Sequence, residues 1–267
     1  MDYYSIVNPG TYKHNEQARW NSTQLVLAQQ LWRDPMMASM AAQTALAGVP
    51  YCHMILDNGA HEGVVVPPND YLELAKSIRP WGVVLPDTMG APALESRMRS
   101  LIFSARLSHD LPGAMQYYVP QGTSAVEALD EYDWALSNLD PSRYIIGFGS
   151  AYLLWEDQQP AGAHAEAGRE QQVMEVMQHA EAHRFRFHML GARWEPTKVF
   201  STYPNIIGID SIKPCHCAFY HTLYSRAGKE SKPAGAEPDR FSDRVAEESL
   251  LADNVNDFCS AYGVWDK

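Results

Sequence analysis

Short apolar runs rich in β-branched and aromatic residues alternate with longer stretches of helical spacing along almost the whole chain. No other feature limits the fold as much. A strand that is followed by a helix and then by another strand returns as a parallel neighbour through a right-handed crossover, so repeated units of this kind build an α/β protein. Seven strands are read in this way, at residues 3–7, 51–56, 82–85, 115–119, 144–148, 185–190 and 206–209. Helical patterns fall at 21–47, with a break or kink at Pro35, at 71–78 behind Asn69 as N-cap, and at 91–107 with Pro92 in the first turn. Others run from a cap at Thr123 or Ser124 through Ser137, then over 170–182, 196–203 and 242–262. A closed (β/α)8 barrel of the TIM type needs an eighth strand, and the aromatic and Thr content of 218–224 suits one. A doubly wound open sheet is the alternative, but no glycine-rich fingerprint follows the first strand.

The 267 residues, 46% of them hydrophobic, match one barrel-sized domain better than two small ones. Residues 226–239, rich in Gly, Pro, Lys and Glu, are expected to form a loop, and 240–267 a C-terminal helix. The first residues show no basic segment followed by an apolar one, and no apolar run is long enough to cross a bilayer. A cytoplasmic protein is therefore expected. Cys52, Cys215, Cys217 and Cys259 do not have the spacing of a disulfide framework. The net charge of −11 opposes a general nucleic-acid coat. Arg184, Arg186, Arg193, Lys198, Lys213, Arg226, Lys229 and Lys232, interleaved with His188, His216 and His221, leave two readings open, a local basic face or scattered solvated charges.

The strand ends carry the chemistry. Residues 51–56 run into Asp57-Asn58-Gly59, the next strand into Asp87, and the following ones into Gln121-Gly122, Gly147-Phe148-Gly149, Leu190-Gly191 and Asp210-Ser211. In parallel α/β folds the C-terminal strand ends converge on one mouth. Three carboxylates, a carboxamide and glycine turns would then share a pocket. Two carboxylates can run a double displacement at a sugar carbon, one as nucleophile and the other moving protons. A third suits a guanidine-like edge, the carboxamide a purine carbonyl, and a glycine turn lets backbone N–H groups approach closely.

In this order the motifs resemble the tRNA-guanine transglycosylase superfamily, and most of all its phage and bacterial branch that places 7-deazaguanines in DNA. The likeness spans residues 51–211 as short motifs. It implies a (β/α)-barrel enzyme that replaces guanine in nucleic acid, DNA rather than tRNA, with a 7-deazaguanine such as preQ0 through a covalent intermediate. By the same resemblance Asp57 would be the general acid/base, Asp210 the nucleophile and Asp87 the grip on the amidine-like edge. Asn58 and Gly59 complete the first motif, and His61 stands where the family stacks an aromatic residue on the base. Gln121 would contact the base, Gly147 and Gly149 would read it through their backbone, and Leu190, in the segment His188-Met189-Leu190-Gly191 that matches the family's Met-Gly, would form the lower face of its pocket. The chain departs from the family pattern at Ala60, where a second glycine is usual, and at Phe148, which separates the glycine pair.

The family's tRNA enzymes hold zinc on three cysteines and a histidine. Here Cys215, His216, Cys217 and His221 are the available ligands, and no third cysteine follows nearby. No cofactor is expected to be required. The expected partners are a nucleic acid and a deazaguanine base, with no membrane. Two other readings use the same residues. One is a retaining glycosidase or base-excising glycosylase that delivers water instead of a base; the other is an inactive barrel that only binds nucleic acid.

Overall fold

A computed structural model gives the structure of the chain and describes residues 2–5, 23–46, 53–60, 64–148, 178, 181, 184–190, 203–211 and 248–261. Among them are eight strands: β1 (Asp2–Ser5), β2 (Gln24–Leu27), β3 (Met54–Asp57), β4 (Gly82–Val84), β5 (Met115–Tyr118), β6 (Tyr144–Phe148), β7 (Arg186–Met189) and β8 (Ile206–Ser211). All neighbours run parallel, each strand pairs with the next in the chain, and β8 lies back against β1 from Asp2↔Gly208 to Ser5↔Ser211. The result is an α/β fold on a curled parallel sheet. The described helices are α1 (Ala28–Arg33), α2 (Pro35–Leu46), α3 (Pro68–Ile78), α4 (Ala93–Asp110), α5 (Ala125–Asn138) and α6 (Glu248–Ala261). The segments after β1, β6 and β7 are not among the described residues.

Two apolar layers follow from the period-two alternation of strands. Val26, Leu56, Val83, Tyr118, Ile146, Phe187 and Ile209 face outward and pack against helix residues such as Tyr71, Leu72, Phe103, Tyr132 and Leu136. Leu25, Leu27, Ile55, Val84, Tyr117, Val119 and Ile145 face inward and fill the curl of the sheet.

Strand β2 corrects the sequence reading, which placed 21–47 in a helix. Gln24–Leu27 is buried along its whole length, with Leu25 and Leu27 inside and Val26 outside. A strand covered on both faces has no polar alternation, so its short apolar run cannot be told from a buried helical turn by periodicity. It occupies the place for which residues 218–224 were considered, and those residues lie outside the described set. Pro35 does interrupt the helical stretch: α1 ends at Arg33 and α2 begins at Pro35. Asp34 Oδ1 accepts from the N–H groups of Met36 and Met37, both at 3.1 Å, which satisfies two donors of the new helix.

Asn69 is not the cap of α3. Pro67 holds that position, and Asn69 Oδ1 instead accepts from Arg106 of α4 at 2.9 Å. Ser124 does cap α5, accepting from Glu127 N at 3.2 Å. The Glu127 carboxylate in turn accepts from Ala93 N at 2.7 Å, tying the start of α4 to α5. Deeper between these helices Glu131, 1% exposed, is paired with Arg97 and accepts from the Tyr118 hydroxyl. The Arg97 guanidinium lies 3.9 Å over the Trp134 ring. The helix layer behind β5 is therefore fixed by a satisfied buried charge pair as well as by apolar contact.

Candidate active site

Parallel pairing brings every C-terminal strand end to one side of the sheet. Asp57 closes β3, Asp87 follows β4, Gln121 follows β5, Gly147 lies in β6, Leu190 follows β7, and Asp210 lies near the end of β8. Ile55 faces inward, so Asp57, two residues on, does so too. At Asp210 strict alternation would give the opposite result. The register Phe187↔Ile206 followed by His188↔Gly208 sets two steps on β8 against one on β7. This bulge changes the inward set from Ile207, which packs on the inner cluster, to Asp210, while Ile209 turns outward.

Asp57 and Asp210 consequently share one region. Burial, and next the charge of Asp210, push the Asp57 carboxyl from its ordinary 3.8 up to about 7. Asp87 adds to this rise, and the N–H groups of Gly59 and Asn58 oppose it. Asp57 keeps some contact with water. A carboxyl with this pKa is divided between acid and base at neutral pH, which suits a group that must do both.

Asp87 sits in a cradle of amides. Asn58 Nδ2 donates to Asp87 Oδ1 at 2.6 Å and to the Leu85 carbonyl at 2.7 Å. Gln121 Nε2 donates to Asp87 Oδ2. Burial raises this carboxyl to about 6, and the two amide donors limit the rise. Asp87 is therefore largely ionised at neutral pH, and its oxygens are held in a fixed plane. With Nε2 on Asp87, the amide oxygen of Gln121 is left facing away; it is buried and has no hydrogen-bond partner among the described residues. The sequence reading gave Gln121 the part of a donor, and one of its N–H bonds is already committed.

Several neighbours set these groups in place. The Tyr71 hydroxyl of α3 reaches the carbonyls of Leu56, at 3.0 Å, and Val84, at 2.7 Å. It pins β3 and β4 just before their carboxylates. Gly59 has φ +74°, and a Cβ there would fall 1.9 Å from Gln29 Oε1. Only glycine fits both the backbone and the buried Gln29 amide pressed against it. At Gly147 a Cβ would meet Leu190 Cδ1 and Val119 Cγ2, both at 2.8 Å. The Gly147 carbonyl is 3.3 Å from the Tyr132 hydroxyl, so what the geometry shows for this glycine is close packing.

The sequence reading gave no role in the site to Gln29, Tyr71 or Tyr117, and it counted His188 among surface charges. His188 is instead fully buried, with Nε2 2.8 Å from Asp210 Oδ1. Arg186 reaches Met115 Sδ at the opposite end of the curl, and Arg184 precedes β7 at that same end. These three therefore do not supply cations to the strand-end mouth. The other residues of that group, Arg193, Lys198, Lys213, Arg226, Lys229, Lys232, His216 and His221, lie outside the described residues. So do His61, Gly149, Gly191, Cys215 and Cys217.

Among the described residues no three His, Cys, Asp or Glu side chains are grouped to hold a metal ion, and no helix is long and apolar enough to cross a membrane. No known family model matches the chain, and no curated protein matches it.

Proposed function

We propose that the protein is a base-exchange transglycosylase on a (β/α)8 barrel, replacing guanine in nucleic acid, DNA in preference to tRNA, with a 7-deazaguanine. The observation that carries this reading is the pairing of two inward carboxylates with distinct surroundings. Asp57 is pushed to about 7 by burial and by Asp210, whereas Asp210 is held by His188. Two carboxyl groups whose environments differ are suited to divided acid and nucleophile roles.

Asp210 attacks C1′ of the target nucleotide, forming a carbon–oxygen bond as the bond from C1′ to the base nitrogen breaks. The electron pair of that bond goes to the departing guanine, which takes the proton of Asp57. The incoming base returns a proton to Asp57, and its nitrogen displaces Asp210 from C1′. Atoms and charge balance without a cofactor, and the sugar configuration is retained after two inversions. Asp87, ionised and held flat by Asn58 and Gln121, accepts two parallel N–H bonds from a guanidine-like edge. The resemblance assigns the same parts to Asp57, Asp87 and Asp210, and gives Gln121 a contact with the base rather than with Asp87.

The test is incubation of the protein with labelled guanine and either DNA or tRNA. Label entering the polymer without net loss of base supports exchange. Net loss of base supports the glycosylase reading, and binding without either outcome supports the inactive one.

A further inference from the structure

We infer that Met89 is a wedge: as the target nucleotide swings out of a DNA duplex into the strand-end mouth, the Met89 side chain enters the gap that its base leaves in the stack. The inference rests on the proposed exchange reaction and names the residue that makes a duplex guanine reachable. C1′ of a stacked, paired nucleotide is closed to attack until its base is extruded.

Met89 lies two residues beyond Asp87, the carboxylate proposed to grip the base. Residues 88–91 make one tight turn, in which Ala91 N donates to the Thr88 carbonyl at 3.0 Å. Gly90 has φ +70° and Met89 a negative φ, the type II pattern with Met89 at the leading corner. The turn is braced by α4. Thr88 N donates to Ser96 Oγ at 3.4 Å, Arg99 Nη1 donates to Thr88 Oγ1 at 2.9 Å, and Ser100 Oγ donates to the Pro86 carbonyl at 2.9 Å. Met89 is nonetheless 45% exposed, and a Cβ on Gly90 would meet nothing within 4 Å. An apolar, unbranched side chain is thus offered to solvent from a fixed base. Two residues of chain span at most about 7 Å, so this side chain stays beside whatever Asp87 holds. Methionine is among the side chains that insert between base steps, and its flexible thioether adapts to an irregular gap. Leu94 and Val126, 64% and 68% exposed, stand at the starts of α4 and α5, which the bond from Ala93 N to Glu127 joins. They extend the apolar rim on this side of the mouth, where bases next to the gap lose a stacking partner.

The experiment measures exchange of labelled guanine into a DNA duplex and into the same sequence as a single strand, by wild type, Met89→Ala and Met89→Leu. In Met89→Ala the ratio of duplex to single-strand kcat/KM is expected to fall about tenfold, because a base that is already unstacked needs no wedge. Met89→Leu, with a side chain of similar volume, is expected to restore most of that ratio. A wild-type ratio in Met89→Ala, a Met89→Leu variant no better than Ala, or wild-type exchange confined to single strands overturns the inference and leaves the exchange reading standing. Absence of exchange into any nucleic acid by the wild type overturns the exchange reading itself. A duplex with 2-aminopurine in place of the target guanine gives a second readout that needs no turnover, since this base brightens when it leaves the stack. At saturating protein its fluorescence should rise with wild type and rise several-fold less with Met89→Ala. An equal signal with both proteins overturns the inference whatever the exchange rates.

Discussion

Replacing Asp57 with asparagine should stabilise the protein at alkaline pH while destroying its chemistry. Burial and the charge of Asp210 hold the Asp57 carboxyl at about 7, against an ordinary 3.8, so the folded chain keeps a proton that the unfolded chain releases. Between those values the native state binds more protons than the unfolded state. This group therefore makes stability fall as pH rises from about 4 to about 7, and contributes no further change above. A displacement of roughly three pH units corresponds to about 4 kcal/mol for a group sealed from water. Asp57 retains some solvent contact, and screening reduces the figure to about 2 kcal/mol. Asparagine never ionises, so the variant escapes this cost. Urea unfolding of both proteins at pH 4 and pH 8 measures it. The stability of Asp57→Asn relative to wild type should be about 2 kcal/mol greater at pH 8 than at pH 4, with no exchange activity at either. Because Asp87 is present in both proteins, its own elevated pKa largely cancels in this comparison. A difference independent of pH, or larger at pH 4, refutes the account of Asp57 as a carboxyl neutralised by its surroundings.

In the proposed reaction the same carboxyl would set the pH dependence: kcat/KM for the nucleic acid should fall about tenfold per pH unit above about 7, as the acid form of Asp57 is lost. Gly59→Ala should cost about 2 kcal/mol or more by urea unfolding, since φ +74° is strained for alanine and the new methyl must displace Gln29. Tyr71→Phe leaves the Leu56 and Val84 carbonyls without the hydroxyl between them, and should cost about 1–2 kcal/mol in the same assay. Arg97→Leu strands Glu131 in the helix layer and should cost about 3 kcal/mol at pH 8.

The parallel α/β character was legible because helix-period and strand-period segments alternate, and the strand-end position of Asp57, Asp87, Gln121 and Asp210 followed from that alone. Strand β2 was not legible. Residues 24–27 are covered on both faces, and the run into Ala28 and Leu31 reads as one apolar stretch. With the strand went Gln29, which follows an apolar run as Asp57, Asp87 and Gln121 do. The cross-strand partners were hidden for another reason. The His188–Asp210 contact and the Tyr71 bridge depend on register and on the bulge before Gly208, which no local pattern of residues encodes. A histidine among arginines suggested a basic surface, yet the arginine on its own strand, Arg186, leaves at the other end of the sheet.

The central claim is that Asp210 becomes covalently joined to a nucleotide sugar. Stopping the reaction with denaturant and mapping the peptide that carries the added nucleotide mass tests it directly. The account requires the adduct on Asp210, formed by wild type, absent from Asp210→Asn, and discharged when a 7-deazaguanine is supplied. An adduct on any other residue, or release of free guanine with no adduct at all, contradicts it.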